Sequence, residues 1–336
     1  MSYLPKFSIS PALLLEAEQI AALRERIAST VGNHAGLAPL QKDCCIRNAH
    51  ASTAIEGNPV SLEQVRVLAE GRQLAKLEPR AQREVSNYLA GLRYAQKNAD
   101  KNQIRQTDIL ALQEILAGGV MHQGKAGAYR SSLVQAGEHV APPPSAVIGL
   151  MLELLGWWNK EAPGLSPIIS SAILHYRFEA IHPFADGNGR VGRVLGLWEL
   201  YRRGFDALYI IPLDEYFAQD RPRYYAALQE VRDTDDDLSA WLEYYAEGVH
   251  MSLQQAWIRI QALQGESSQK LVLRPRQEQL LHLLRDQGGM APSQIWAELS
   301  ISRQGAMDLL RPLLDAGVVE KVGGNKTGRY VLKQLN

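Results

Sequence analysis

Residues 182–193, HPFADGNGRVGR, place an imidazole, a carboxylate, two glycines around an asparagine and two arginines within twelve positions. These types at this spacing suit phosphate chemistry. Gly187 and Gly189 free the backbone around Asn188 to turn successive N–H groups toward one point. A helix starting there adds unpaired donors and the positive end of its dipole. Arg190 and Arg193 stand at i and i+3, on one face of the first turn, where two permanent cations can clamp further phosphates. Cations at a helix N-terminus oppose the macrodipole by roughly 0.3 to 1 kcal/mol each, so a bound polyanion accounts for them better than stability does. Asp186 is a hard oxygen ligand beside this nest, and Mg²⁺ uses one or two carboxylates together with substrate phosphates. A nucleoside triphosphate with Mg²⁺ follows. Pro183 predicts extended backbone at His182, and Phe184 is expected to anchor the loop in the core, aiming the imidazole at the phosphates as a general base for a hydroxyl.

Taken singly, a histidine before proline is a loop residue and Asp-Gly-Asn-Gly is a turn. The contiguous order carries the argument. The twelve residues resemble the signature of the Fic (filamentation induced by cAMP) family, His-x-Phe-x-Asp/Glu-Gly-Asn-Gly-Arg-x-x-Arg, with no departure at a specified position. The resemblance implies a mainly α Fic fold, a helical bundle with a β-hairpin flap, that transfers AMP from ATP to a Tyr, Ser or Thr hydroxyl of a target protein or of itself. Carried over, His182 deprotonates the hydroxyl, Asp186 holds Mg²⁺, and the Gly187-Asn188-Gly189 backbone cradles the α- and β-phosphates. Arg190 and Arg193 hold the outer phosphates, with Val191 and Gly192 in the same nucleotide-binding stretch. Segment 130–140, RSSLVQAGEHV, is stopped by Pro142-Pro143-Pro144 and reads as a lone β-hairpin resembling the flap. Val134, Gln135, Ala136 and Gly137 are its expected contact stretch with nucleotide and target. Tyr224-Tyr225 resembles a family element lining the adenosine pocket. Arg232 stands seven residues beyond Tyr225, where some relatives carry a small amide that touches the base or ribose.

Residues 52–58, STAIEGN, carry a second signal. Gly57-Asn58-Pro59 ends a helix, and Glu56 in its last turn faces the negative end of the macrodipole, which calls for a cation. The Ser/Thr-x-x-x-Glu-Gly/Asn pattern resembles the inhibitory motif of the Fic class with an N-terminal inhibitory helix, here about residues 39–56. The resemblance pairs Glu56, with Ser52 one turn earlier, to Arg193. Such a pair occupies the cation that the γ-phosphate needs, so autoinhibition is expected. In some relatives the same glutamate assists AMP removal, and another nucleotide donor stays open, because a phosphate nest is blind to the base.

The elements that must position these groups read as helices over 11–29, 39–55, 107–116, 146–159, 167–180, 189–203 and 237–264, with Ser61 and Gln64 as a capping box. The polar string QGESSQK predicts a boundary near residue 268. Three parts are expected: N-terminal helices over 1–100, a catalytic core over 101–264, and a C-terminal unit over 270–336. That unit reads as helices over 276–287, 292–299 and 303–316 and two strands around Gly323-Gly324-Asn325. It resembles a winged helix with Lys321, Lys326 and Arg329 on the wing. It carries ten basic and six acidic residues. DNA binding and protein docking, including a homodimer, both stay open, as does a regulator that only binds nucleotide. The acidic string DTDDD at 233–237 is expected to cap the next helix rather than bind metal.

Across 336 residues, 36 Lys plus Arg balance 36 Asp plus Glu, with 46% hydrophobic and 21% charged residues. This excludes a peptide hormone and a surface built wholly to grip nucleic acid or anionic membrane. Adjacent Cys44 and Cys45 cannot staple a fold or make a four-ligand zinc site, so a reducing compartment is expected. With neither a leader pattern nor an 18-residue apolar run, the expectation is a cytoplasmic protein without membrane partners.

Overall fold

The computed structural model describes residues 3–31, 37–267, 275–315, 318–324 and 328–333. Helices α1 (Pro11–Val31), α2 (Leu37–Ile55), α3 (Leu62–Ala69), α4 (Pro79–Lys97) and α5 (Gln106–Ala117) come first. A small antiparallel hairpin follows, β1 (Gln135–Ala136) and β2 (His139–Val140), with Gln135 opposite Val140. Then come α6 (Pro144–Lys160), α7 (Pro167–Ile181), α8 (Asn188–Arg202), α9 (Leu213–Gln219), α10 (Arg221–Asp233) and α11 (Ser239–Ser267). The chain ends with α12 (Pro275–Asp286), α13 (Pro292–Glu298), α14 (Arg303–Asp315), β3 (Val319–Val322) and β4 (Arg329–Leu332).

The middle of the bundle is α7 packed along α8. Almost every residue of both helices is buried, as expected of helices without a polar face. Around them lie α2, α4, α5 and α6. One buried acid inside this layer is fully matched. Glu199 of α8 is fully buried and accepts from the Trp158 indole at 2.6 Å and the Ser170 hydroxyl at 2.6 Å, with Arg203 at 3.3 Å. Satisfying that carboxylate offsets the cost of desolvating it.

Several ends follow from local chemistry. The Ser61 and Gln64 capping box is formed, with Ser61 N donating to Gln64 Oε1 at 2.9 Å and Gln64 N to Ser61 Oγ at 3.4 Å. The three prolines stop the hairpin and start α6, since Pro143 is its N-cap and Pro144 its first residue, where no N–H is missed. The ladder is shorter than residues 130–140. Residues 130–134 are held instead by Arg130, which donates to the carbonyls of Ser132, Pro142, Ile181 and His182. In the DTDDD string, Asp237 caps α11 by accepting from Ser239 N and Oγ, while Asp235 pairs with Lys6 at 2.7 Å. Among the described residues, no group of three or more His, Cys, Asp or Glu is placed to hold a metal ion, and no helix is long and apolar enough to cross a membrane. Cys44 and Cys45 are free thiols.

The chain divides into two units, residues 1–261 and 262–336. The first is continuous, because α2 and α4 pack against α8 and belong to the same core as α7 and α8. The segment read as a polar connector is helical as far as Ser267. The second unit has its own core, including Leu280, Ile295, Leu310, Leu313 and Tyr330. Its described residues include the end of α11, three further helices and the β3–β4 hairpin, with Val319 opposite Leu332. Ala316, Asn325 and Lys326 lie outside the described residues. Separate cores predict separate unfolding. Leu310→Ala should cost the second unit about 2 to 5 kcal/mol. Hydrogen exchange should then show lost amide protection in α12 and α14 with α7 and α8 unchanged; equal loss in both units would contradict two independent cores.

Candidate active site

The loop between α7 and α8 is a tight corner with a defined cause for each bend. His182 ends α7 in the left-handed conformation, φ 49° and ψ 59°, and donates its N–H to Phe178 O at 2.9 Å. This corrects the extended geometry expected before Pro183. The α-region clash that proline imposes does not extend to the left-handed cap, and the surroundings fix it there. Arg130 Nε donates to His182 O at 2.7 Å, and Arg130 N to Pro183 O at 3.0 Å. Phe184 is fully buried against Tyr129 and Phe178. Asn188 closes the corner, accepting from Phe184 N and donating to Phe184 O, both at 2.8 Å.

The two signature glycines act differently. Gly187 has φ 82° and is the N-cap of α8, a conformation that favours glycine. Gly189 is helical, and its role is space: a Cβ there would stand 2.5 Å from Glu56 Oε1.

A cleft of about 760 Å³ opens over the start of α8. Of the sequence-predicted residues, Glu56, Val134, Gln135, Ala136, Gly137, His182, Asp186, Gly187, Asn188, Gly189, Arg193, Tyr224 and Tyr225 line it. Four lie elsewhere. Val191 is in the core, Gly192 packs against Glu179, Ser52 is buried behind Arg193, and Arg190 is buried behind Asp186. Arg190 and Arg193 therefore do not form a matched clamp. Arg190 NH2 reaches Asp186 Oδ1 at 3.3 Å, while its Nε and NH1 are buried without a hydrogen-bond partner among the described residues.

Arg193 is the buried cation of the cleft, with 1% of its side chain exposed. Its Nε donates to Ser52 Oγ at 2.6 Å, and its NH2 to Ser52 O at 3.1 Å and to Glu56 Oε1 at 2.7 Å. Burial works to raise the Glu56 carboxyl, but the Arg193 guanidinium overrides it and holds Glu56 below the usual carboxylate range. Burial lowers the His182 imidazole to about 4, so it is uncharged at neutral pH. Tyr224 is buried, shares a hydrogen bond with His175 Nε2 at 2.8 Å and stacks on Phe217 at 4.8 Å. Tyr225 is 41% exposed with Arg221 over its ring.

The cleft also contains residues that motif reading missed, notably Glu179, Arg221 and Gln229, and Arg232 is on its wall. Glu179 had a signal: it is the one acid in the apolar helix PIISSAILHYRFEAI, three residues before His182.

The bundle's central helix begins at a glycine-flanked turn, and the hairpin lines the same cleft. Residues 103–200 match the Fic/DOC family, and the chain carries a Fic/DOC family domain. It is similar to the "Protein adenylyltransferase Fic" of Culex quinquefasciatus, 30% identical over 224 residues, covering 65% of this chain and 43% of that protein. The same-named protein of Nematostella vectensis is 30% identical over 230 residues, covering 66% and 52%. This chain thus spans about half the length of the curated relatives it matches. A Fic family protein from Desulfovibrio desulfuricans has a crystal structure that covers 99% of both chains at 26% identity and a TM-score of 0.70. Fic-1 from C. elegans covers 74% of each at 25% identity and a TM-score of 0.64.

The corner depends on one side chain. Asn188→Ala leaves Phe184 N and O buried and unpaired, and should cost about 2 to 4 kcal/mol in urea unfolding. A loss under about 0.5 kcal/mol would show that the corner is held by other contacts.

Proposed function

We propose that this chain is a protein adenylyltransferase that moves AMP from ATP to a Tyr, Ser or Thr hydroxyl of a target protein or of itself, and that Glu56 restrains it. The observation that carries this reading is that His182, the Gly187–Gly189 helix start, the flap edge and Arg193 all line one cleft. The printed names of the curated relatives support adenylate as the transferred group.

In this reading the α- and β-phosphates lie on the N–H donors of Gly187, Asn188 and Gly189, and Arg193 takes the γ-phosphate once Glu56 leaves it. Tyr224 and Tyr225 wall the adenosine, with Arg232 beside them. The largely exposed 134–137 edge adds a strand from the target. Asp186 fits Mg²⁺. It is a cleft-lining carboxylate held by His122 N at 3.2 Å and Arg190 at 3.3 Å, with no other acid clustered on it among the described residues. A cation that takes a single carboxylate and completes its shell with phosphates and water matches that arrangement. When bound, Mg²⁺ neutralises charge developing on the phosphate oxygens. Arg190 steadies the same carboxylate from behind, instead of gripping an outer phosphate in its own right.

His182, uncharged at neutral pH, takes the proton of the target hydroxyl on its free nitrogen. The hydroxyl oxygen bonds to the α-phosphorus, the bond from that phosphorus to the oxygen bridging to the β-phosphate breaks, and pyrophosphate leaves with the electron pair. Water is kept out by the flap and by the tyrosine wall.

Glu56→Gly should raise AMP transfer with ATP and Mg²⁺ by about 5- to 150-fold, the range of an ordinary coupling free energy. Intact mass is the readout, as one AMP added to the protein or to a target. The gain should vanish in Glu56→Gly/His182→Ala. Equal rates in wild type and Glu56→Gly would overturn restraint, and transfer that survives His182→Ala would overturn the mechanism.

A further inference from the structure

A buried carboxyl and a buried imidazole lie side by side on the floor of the cleft. Glu179 is 7% exposed, and its Oε1 has no hydrogen-bond partner among the described residues. His182 Nδ1 is buried without a hydrogen bond of ordinary length, and the backbone acceptor that acts on the ring is the Glu179 main-chain carbonyl. Glu179 Oε2 lies 3.7 Å from that nitrogen. The neighbouring helix leaves room for the carboxyl. A Cβ at Gly192 would stand 2.3 Å from Glu179 Oε1, so only glycine permits the carboxyl to lie there. Buried orphan groups are costly, and a donor and an acceptor this close satisfy each other by closing about 1 Å. Hydrogen bonds of a catalytic base are commonly long before substrate binds and tighten in the complex.

We infer that Glu179 is the positioning residue of His182: its carboxylate draws the proton to Nδ1 and so presents an unprotonated Nε2 to the target hydroxyl. This rests on the transferase reading above. A carboxylate only accepts, so it selects the Nδ1–H tautomer. The target's proton then goes to Nε2, the Nδ1 proton stays in place, and the carboxylate stabilises the imidazolium until Nε2 releases its proton to solvent. A protonated Glu179 does the reverse. It donates to Nδ1, puts the ring proton on Nε2 and blocks the base.

The charged surroundings set where that reversal falls. Burial raises the Glu179 carboxyl to about 7, with Arg193 and Arg232 opposing and Glu56 adding to the rise. His182 is lowered to about 4 by burial, against the Glu179 main-chain carbonyl, with His139 and Arg130 of the flap segment adding to the fall and Glu56 opposing it. Tyr224 also faces Glu179, and burial keeps its phenol neutral. The active form is therefore lost as pH falls through the Glu179 range, well before His182 itself takes a proton.

The test compares Glu56→Gly with Glu56→Gly/Glu179→Gln, both with ATP and Mg²⁺. The second should lose on the order of 10- to 1000-fold in kcat with KM for ATP unchanged. The acid limb of its kcat/KM profile should move to lower pH than in Glu56→Gly, toward 4. Glu56→Gly/Glu179→Asp should recover part of the rate. Nitrogen NMR of the His182 ring, assigned with His182→Ala, gives a readout that needs no turnover. Wild type at pH 8 should show the Nδ1–H tautomer and Glu179→Gln a mixture. An unchanged tautomer, or a slower enzyme whose acid limb stays put, would overturn the role of Glu179. If Glu56→Gly transfers nothing, the transferase reading fails while the ring signal still decides the Glu179 contact.

Discussion

A guanidinium with 1% of its surface in contact with water must be balanced where it stands, and the site is arranged around that requirement. Arg193 projects from α8, a helix buried on all sides, so its charge cannot be moved to solvent by bending the element that carries it. Ser52 and Glu56 come from the end of α2, and both accept from it. Asp214, at the start of α9, is a second buried carboxylate whose charge acts on it, itself held by Tyr88 at 2.5 Å. Helices far apart in sequence are thus drawn to one point by one charge. Removing a single anion leaves part of the balance intact, whereas removing the arginine would strand several carboxylates at once.

The second constraint is the corner that delivers α8. A left-handed cap at His182, the aromatic plug of Phe184 and the Asn188 brace convert the end of α7 into the beginning of α8 within six residues. The flap is joined to the same corner, since Arg130 binds the carbonyls of Ile181 and His182 and His139 Nε2 lies 2.8 Å from Ala180 O. Histidine, phosphate turn and flap are consequently set by one short stretch of backbone. An error of an ångström there would displace all three together, and reactions of positioned groups are steeply sensitive to such displacements.

Much of this was legible in the residues. The apolar spacing of α1, α2, α5 and α6 reads directly, as do the Ser61 cap and the helix start at Gly187-Asn188-Gly189, because each depends on neighbours in sequence. The pairing of Glu56 with Arg193 was legible only through a family pattern, since 137 positions separate the two. Three features were out of reach for a common reason. The left-handed His182 depends on Arg130, 52 positions away, which no local rule for residues before proline contains. The burial of Arg190 depends on which face of α8 meets the core, and a helix apolar all round has no periodicity to reveal it. Glu179 was visible as the one acid of an apolar helix, but its raised carboxyl comes from burial, a property of packing that spacing does not encode.

These constraints together bear on how the restraint proposed for Glu56, which lies 2.7 Å from Arg193, would be released. Glu56 lies at the end of α2, just before Gly57 at φ 88°, and 37% of its side chain is exposed. Its carboxylate can return to water without opening the core. Arg193 then keeps two donations to Ser52 and the fields of Asp214 and Glu179, so the cation is never bare. A triphosphate that takes the vacated donor restores a charge-assisted contact of the same kind. The exchange is therefore between two anions at one preformed cation, and the free-energy difference between restrained and loaded states stays small although each contact is strong. Glu179 feels the same exchange, because Glu56 contributes to the field that raises its carboxyl. Withdrawing Glu56 favours the ionised form of Glu179, the form that orients His182. Release of the restraint and readiness of the base are thereby linked through the shared field around Arg193.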